Sequence, residues 1–328
     1  MTQRDPSSLG IGLRVLSGVL MGGMFVCVKT VSADVPLGEI VFFRSAFALV
    51  PLILFLWLRR EFPQGLATKR PLDHVLRASF GVIALFASFA AVARLNLAEA
   101  ILIAQLSPVI LAVAACVLLR ERLTRWRVGG LALGFAGVVV MVWPELDSAA
   151  ASDKRITGLL LAVLSAGMSA LALIMVRRLN KTESPGAIAL YFVLASMVGA
   201  LATIPMGWNL PKGATLLWLI GAGLFGGFAH IAMTLAFRYT EASRLAPFEY
   251  IALLWPLLAD LLIFRLPLSR SFLFALPLVL LGVMIASAER SPAARAGPGG
   301  WRLRRRSTDP RRPNDGKFPR PEVEAPEA

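Results

Sequence analysis

Charge is scarce in this chain. Of its 328 residues, 16% are Asp, Glu, Lys or Arg, against about 25% in a soluble globular domain. Hydrophobic residues make up 57% and the mean hydropathy is +0.69. The apolar residues fall in blocks of roughly 20 with few charges, the length that crosses about 30 Å of hydrocarbon, so a large soluble core is excluded. Cysteine is scarcer still. Cys27 and Cys116 both lie inside apolar blocks, which leaves no disulfide framework and no zinc spacing. His74 and His230 are the only histidines, which argues against the clustered catalytic groups an intramembrane enzyme needs. No Walker motif occurs, so ATP is not a direct energy source. Strand patterns are missing as well. In hydrocarbon the backbone must satisfy its own hydrogen bonds, and helices are what remain.

What is present is a series of ten apolar blocks, at roughly 11–31, 38–58, 74–93, 97–119, 128–143, 157–176, 186–206, 215–237, 244–264 and 271–288. They predict an all-α polytopic membrane protein. The first block is too long for a signal-peptide core and reads as a retained helix. With the N-terminus in the cytoplasm, the inner connections carry Arg4, Arg59, Arg60, Lys69, Arg70, Arg120, Arg122, Arg125, Arg127, Arg177, Arg178, Lys181 and Arg238. The outer ones carry only Arg94, Lys154, Arg155, Lys212, Arg265 and Arg270. The positive-inside rule then places both termini in the cytoplasm.

The net charge of +14 follows this loop bias together with a basic tail, and it does not indicate a nucleic-acid partner. Residues 291–328 are rich in Pro, Arg and Gly without helical periodicity and read as disordered. Arg302, Arg304, Arg305 and Arg306 in that tail can meet anionic lipid headgroups.

A unit recurs within the apolar sequence. From Asn96 to Trp143 an apolar helix opened by Ala98-Glu99-Ala100 leads through a basic turn at Arg120 to Thr124 into a glycine-rich helix. Farther along, Thr240-Glu241-Ala242, a turn from Arg265 to Arg270 and a helix containing Gly282 repeat the plan. Five helices per repeat is an odd number, so the second half, 157–288, must be inverted relative to the first, 11–143. Inverted repeats are common in secondary transporters, with the substrate near the midplane between them. Gly18 and Gly22, Gly130 and Gly134, and Gly223 and Gly227 have the spacing of close helix contacts in lipid. Gly221 to Gly226 also matches GxGxxG, but it sits mid-helix with no preceding strand, and packing is the better account.

Several motifs in this order resemble the drug/metabolite transporter superfamily, in its ten-helix branch with two EamA-type repeats. In the first half they are Glu39-Ile-Val-Phe-Phe-Arg44, Leu97-Ala-Glu99-Ala, Ser107-Pro108 and Leu119-Arg-Glu121-Arg-Leu-Thr124, followed by the helix of Gly129 to Val142. In the second they are Ala236-Phe-Arg238-Tyr-Thr240, Ala246-Pro-Phe-Glu249-Tyr250 and Gly282. The resemblance spans Leu9 to about Ser287. It implies an inner-membrane secondary transporter of small organic metabolites or drugs, working by alternating access and commonly exporting. Import of a metabolite such as S-adenosylmethionine or riboflavin is the alternative, since similar members do this. Where the family often has an acidic residue after the ninth helix, this chain has Arg265, so no role of such a residue carries over.

Ionisable residues inside a span usually face a cavity or a partner. Arg44 can pair with Glu39 or Glu99, bind a substrate carboxylate, or snorkel outward. Glu249, near Pro247 and Pro256, is expected to line the cavity or gate with Tyr250 and Trp255, or to pair with Arg238 or Arg244. A carboxylate among aromatic faces suits an organic, cationic or amphipathic solute. His230 can relay protons or bond across a helix contact, and Gln105 is its polar counterpart in the first half. Glu99 is placed at the entrance, Asp260 in an ion pair with Arg265, and Lys29 snorkelling outward. The expected partners are a small organic solute and the bilayer, with a homodimer as a further option; no cofactor or metal is expected. An intramembrane enzyme and a membrane scaffold are the competing classes.

Overall fold

The computed structural model describes residues 6–60, 68, 70–119, 125–147, 153–180, 182–239 and 253–287, all within one compact unit that ends at Glu289. Among these residues every regular element is helical. The first half contains α1 (Pro6–Val31), α2 (Leu37–Leu58), α3 (Pro71–Val92), α4 (Leu97–Ala104), α5 (Ser107–Leu119) and α6 (Arg125–Asp147). The second contains α7 (Asp153–Leu179), α8 (Pro185–Leu201), α9 (Ala214–Tyr239), α10 (Leu254–Leu258) with a π-helical turn (Ala259–Ile263), and α11 (Arg270–Ser287). Five of these helices are long and apolar enough to cross a membrane, and five shorter apolar segments complete the ten spans.

Proline sets several boundaries. Pro71 and Pro185 open α3 and α8, where the missing N–H costs nothing. Ser184 caps α8 by accepting from the Ala187 N–H at 3.1 Å. The fourth block was expected as one helix over 97–119, but it breaks at Gln105-Leu106 into α4 and α5. Pro108 has no N–H to give the carbonyl of Ala104, so the ladder cannot run through. The seventh span ends at Leu201 and not at 206, because Pro205 likewise cannot continue it; a 3-10 turn over Ile204–Met206 follows. The ninth span is described only from Leu253, and there it tightens into α10 and then loosens into the π turn.

The two-fold repeat is visible in the packing. If each span of one half is exchanged for its counterpart in the other, the most extensive contacts map onto themselves. α1 packs on α9, and its counterpart α7 packs on α3. α2 meets α9 as α3 meets α8, while α2–α8 and α6–α11 pair across the axis. A hydrogen bond repeats too. The Ser17 hydroxyl of α1 donates to the Ala229 carbonyl of α9 at 2.8 Å, and the Ser165 hydroxyl of α7 donates to the Ala84 carbonyl of α3 at 2.8 Å.

Small residues permit the closest approaches. A Cβ on Gly282 of α11 would stand 2.6 Å from the Gly130 carbonyl oxygen and 2.7 Å from the Gly134 nitrogen of α6. The GxGxxG glycines serve the same end: a Cβ on Gly223 would lie 2.8 Å from the Arg44 carbonyl oxygen.

Candidate functional site

The helices have two ends, and charged groups mark both. We call the near face the one where α1 begins and α11 ends, and the far face its opposite. At the far face Glu99, 1% exposed near the start of α4, accepts from Arg155 of α7 at 2.8 Å and from the Ser269 hydroxyl at 2.9 Å. Asp260, fully buried, accepts from the backbone N–H groups of Leu97 and Ala98 at 3.0 and 2.7 Å. A carboxylate of the second half therefore caps a helix of the first, where unsatisfied donors and the helix dipole favour negative charge. Glu39, also buried, accepts from the Asn209 N–H at 3.1 Å. Each contact joins the two halves.

Three expectations change at this face. Asp260 does not pair with Arg265, which is exposed with φ of 53°; the free N–H groups of α4 claim the carboxylate instead. Lys29 does not snorkel. Its ammonium turns inward and donates to the carbonyls of Val92 and Leu95 at 2.7 and 2.5 Å, satisfying the end of α3. Glu39 and Glu99 are engaged with Asn209 and Arg155, so neither partners Arg44.

Arg44 faces a cavity of about 140 Å³ between α2, α3, α8 and α9. These are two pairs of counterpart spans, so the cavity sits between the repeats. Arg44, Arg77, His230 and Thr234 supply its polar wall; Leu52, Phe55, Phe192, Val193 and Ile231 supply much of the rest. The cavity reaches from Arg44 towards Pro185 and Thr234 near the near face. There, Arg178 lies 3.3 Å from Asp73, and His74 lies 3.6 Å from Glu183 with its ring 4.6 Å from Tyr191.

Of the expected site residues, Arg44 and His230 come together here. Trp255 does not join them. It packs against Gly22 and lines a separate groove between α1, α9 and α10. Gln105 sits at the α4–α5 break, outside the wall of the Arg44 cavity. Glu249 and Tyr250, with Arg244, lie outside the described residues. Arg77 is the residue that sequence reasoning missed. The loop and span charges singled out in the sequence did not include it; Pro71 starts the helix and carries Arg77 about 9 Å into the span.

Two segments of the chain, residues 8–143 and 156–288, match the EamA-like transporter family. The chain belongs to that family. This EamA-like protein is thus a multi-pass membrane transporter of small organic metabolites, built from two repeats. It is 31% identical to the pseudopaline exporter CntI of Pseudomonas aeruginosa over 252 residues, 75% of this chain and 84% of that protein. It is 27% identical to a riboflavin transporter of Rhizobium johnstonii over 265 residues, covering 79% and 85%. Human solute carrier family 35 member G1 is 27% identical over 248 residues, covering 73% and 67%. A crystal structure at 20% identity superimposes with a TM-score of 0.60, over 85% of this chain and 97% of the other; that likeness is one of fold.

Proposed function

We propose that this EamA-like transporter is a secondary carrier of the inner membrane, not an enzyme, and that it works by alternating access around the Arg44 cavity. The observation that carries this is the cavity's position between counterpart spans of two inverted repeats. Rocking one half against the other would expose such a site to either side. The far face is closed by Glu99–Arg155, Asp260–α4 and Glu39–Asn209, contacts between halves that must part when the cavity opens that way. Loop charge supports reading the near face, where α1 begins and α11 ends, as the cytoplasmic one. The carrier then rests with its outer side shut. Export is the favoured direction, supported by the 31% identity to the pseudopaline exporter; the riboflavin transporters favour import as a second reading.

Ile231 in the cavity wall supplies the test. In a Cys27→Ala, Cys116→Ala background, Ile231→Cys should react with a membrane-impermeant thiol reagent from both sides of sealed vesicles, and modification should stop solute flux. Labelling from one side only, under every imposed solute gradient, would overturn alternating access.

A further inference from the structure

We infer that the cavity binds an organic anion, with two acidic groups favoured over one. This rests on the reading of the cavity as the transport site and adds the chemical class of what it carries. Arg44 is 3% exposed and Arg77 is partly buried, and both line the cavity. The Arg44 Nε has no hydrogen-bond partner, and its Nη2 lies 3.6 Å from only a weak acceptor, the Met24 sulfur. Arg77 stands over the Phe192 ring, 4.4 Å from its centroid, with Nε and Nη1 unpartnered.

No acidic side chain is among the cavity's described lining residues. The buried acids nearest either face are committed elsewhere: Glu39 to Asn209, Glu99 to Arg155, Asp260 to α4, Asp73 to Arg178 and Glu183 beside His74. A buried cation without a counter-charge is strongly disfavoured. Other cations in this molecule avoid that cost, as Lys29 does with its two carbonyls. Among the described residues Arg44 and Arg77 have no such partner, and we assign their counter-charge to the occupant.

The surroundings keep the two guanidinium groups open. A Cβ on Gly226 would stand 3.2 Å from Arg44 Nη2, and one on Gly81 would run into Arg77 Nη1. Planar guanidinium suits carboxylate through paired N–H donors. The two arginines also differ in depth. Arg44 lies about 10 Å in from the far face and Arg77 about 9 Å in from the near face, so they offer two anchoring points along an elongated ligand. Apolar side chains between them, Leu52 and Ile231 among others, fit a carbon skeleton. Glu249, from which a cationic or amphipathic solute was expected, lies outside the described residues, and this wall favours an anion.

Full-length protein in nanodiscs should be titrated with linear α,ω-dicarboxylates of increasing length, and with acetate, inorganic phosphate, choline and glucose. Thermal unfolding and calorimetry would read binding. A dicarboxylate of optimal length should bind at least about tenfold more tightly than acetate, and Arg44→Gln and Arg77→Gln should each weaken it about tenfold or more. Where these variants do not fold, Arg44→Lys and Arg77→Lys keep the charge but lose the paired donors, and a several-fold loss is expected. Stabilisation by choline or glucose with no response to any carboxylate overturns the inference, as does unchanged carboxylate affinity in both glutamine variants. Phosphate binding equal to that of the best dicarboxylate overturns the preference for two carbon-linked acids. Failure here, with two-sided labelling of Ile231→Cys intact, leaves a carrier of a different solute.

Discussion

Asp260 joins the two repeats through a single side chain. It accepts two backbone N–H groups at the start of α4, and charge-assisted bonds of this kind are worth about 1.5–3 kcal/mol each. Asp260→Ala should lower stability by at least one such increment, read as the thermal midpoint in detergent. Glu99 and Arg155 form the neighbouring tie, and a double-mutant cycle with Glu99→Gln and Arg155→Ala should return a coupling of about 1–3 kcal/mol. Were the two effects simply additive, the pair would not hold the far face. These roles were only partly legible beforehand. That Glu99 and Asp260 sit near helix ends follows from their distance to the block boundary. Which partner each takes does not, because Asp260 has Arg265 nearby in sequence and α4 nearby only in space.

At the scale of the elements, glycine and proline decide how closely spans approach and where they break. Two glycines allow a comparison. A Cβ on Gly282 would press into the backbone of α6, whereas one on Gly129 of α6 would meet nothing within 4 Å. Gly282→Ala should therefore cost about 1–3 kcal/mol through overpacking, and Gly129→Ala should be neutral or slightly stabilising; unfolding midpoints of the two variants check this. The spacing of Gly130 and Gly134 announced a contact face, since small residues four apart are a local pattern. The partner could not be named, because every span is apolar and offers the same chemistry around its circumference. Pro108 was equally visible, yet the block around it is apolar without interruption, and hydropathy alone draws one helix where the missing donor makes two.

Across the whole molecule, the two repeats are expected to suffice for the fold. The family match ends at residue 288, and the compact unit ends at Glu289. We expect a chain stopped after Arg290 to fold and to transport as the full protein does, with rates in proteoliposomes as the measurement. Loss of transport without loss of folded protein would assign residues 291–328 a direct role, such as contact with anionic lipid. A reporter fused after Arg290 should be active only in the cytoplasm, and the opposite result would reverse the near and far faces.

The sequence by itself determined the membrane setting, the number of spans, the inverted repeat and the family. All of these follow from the length, order and spacing of apolar runs, which are properties of neighbours along the chain. Tertiary structure alone decided which charges meet. Arg44 and Arg77 enter the bilayer from opposite faces on different helices, and they share a cavity with His230 from the other repeat. Side-chain pairing across spans depends on how each helix is turned about its axis. In helices apolar on all sides no periodicity records that turn; packing between spans sets it.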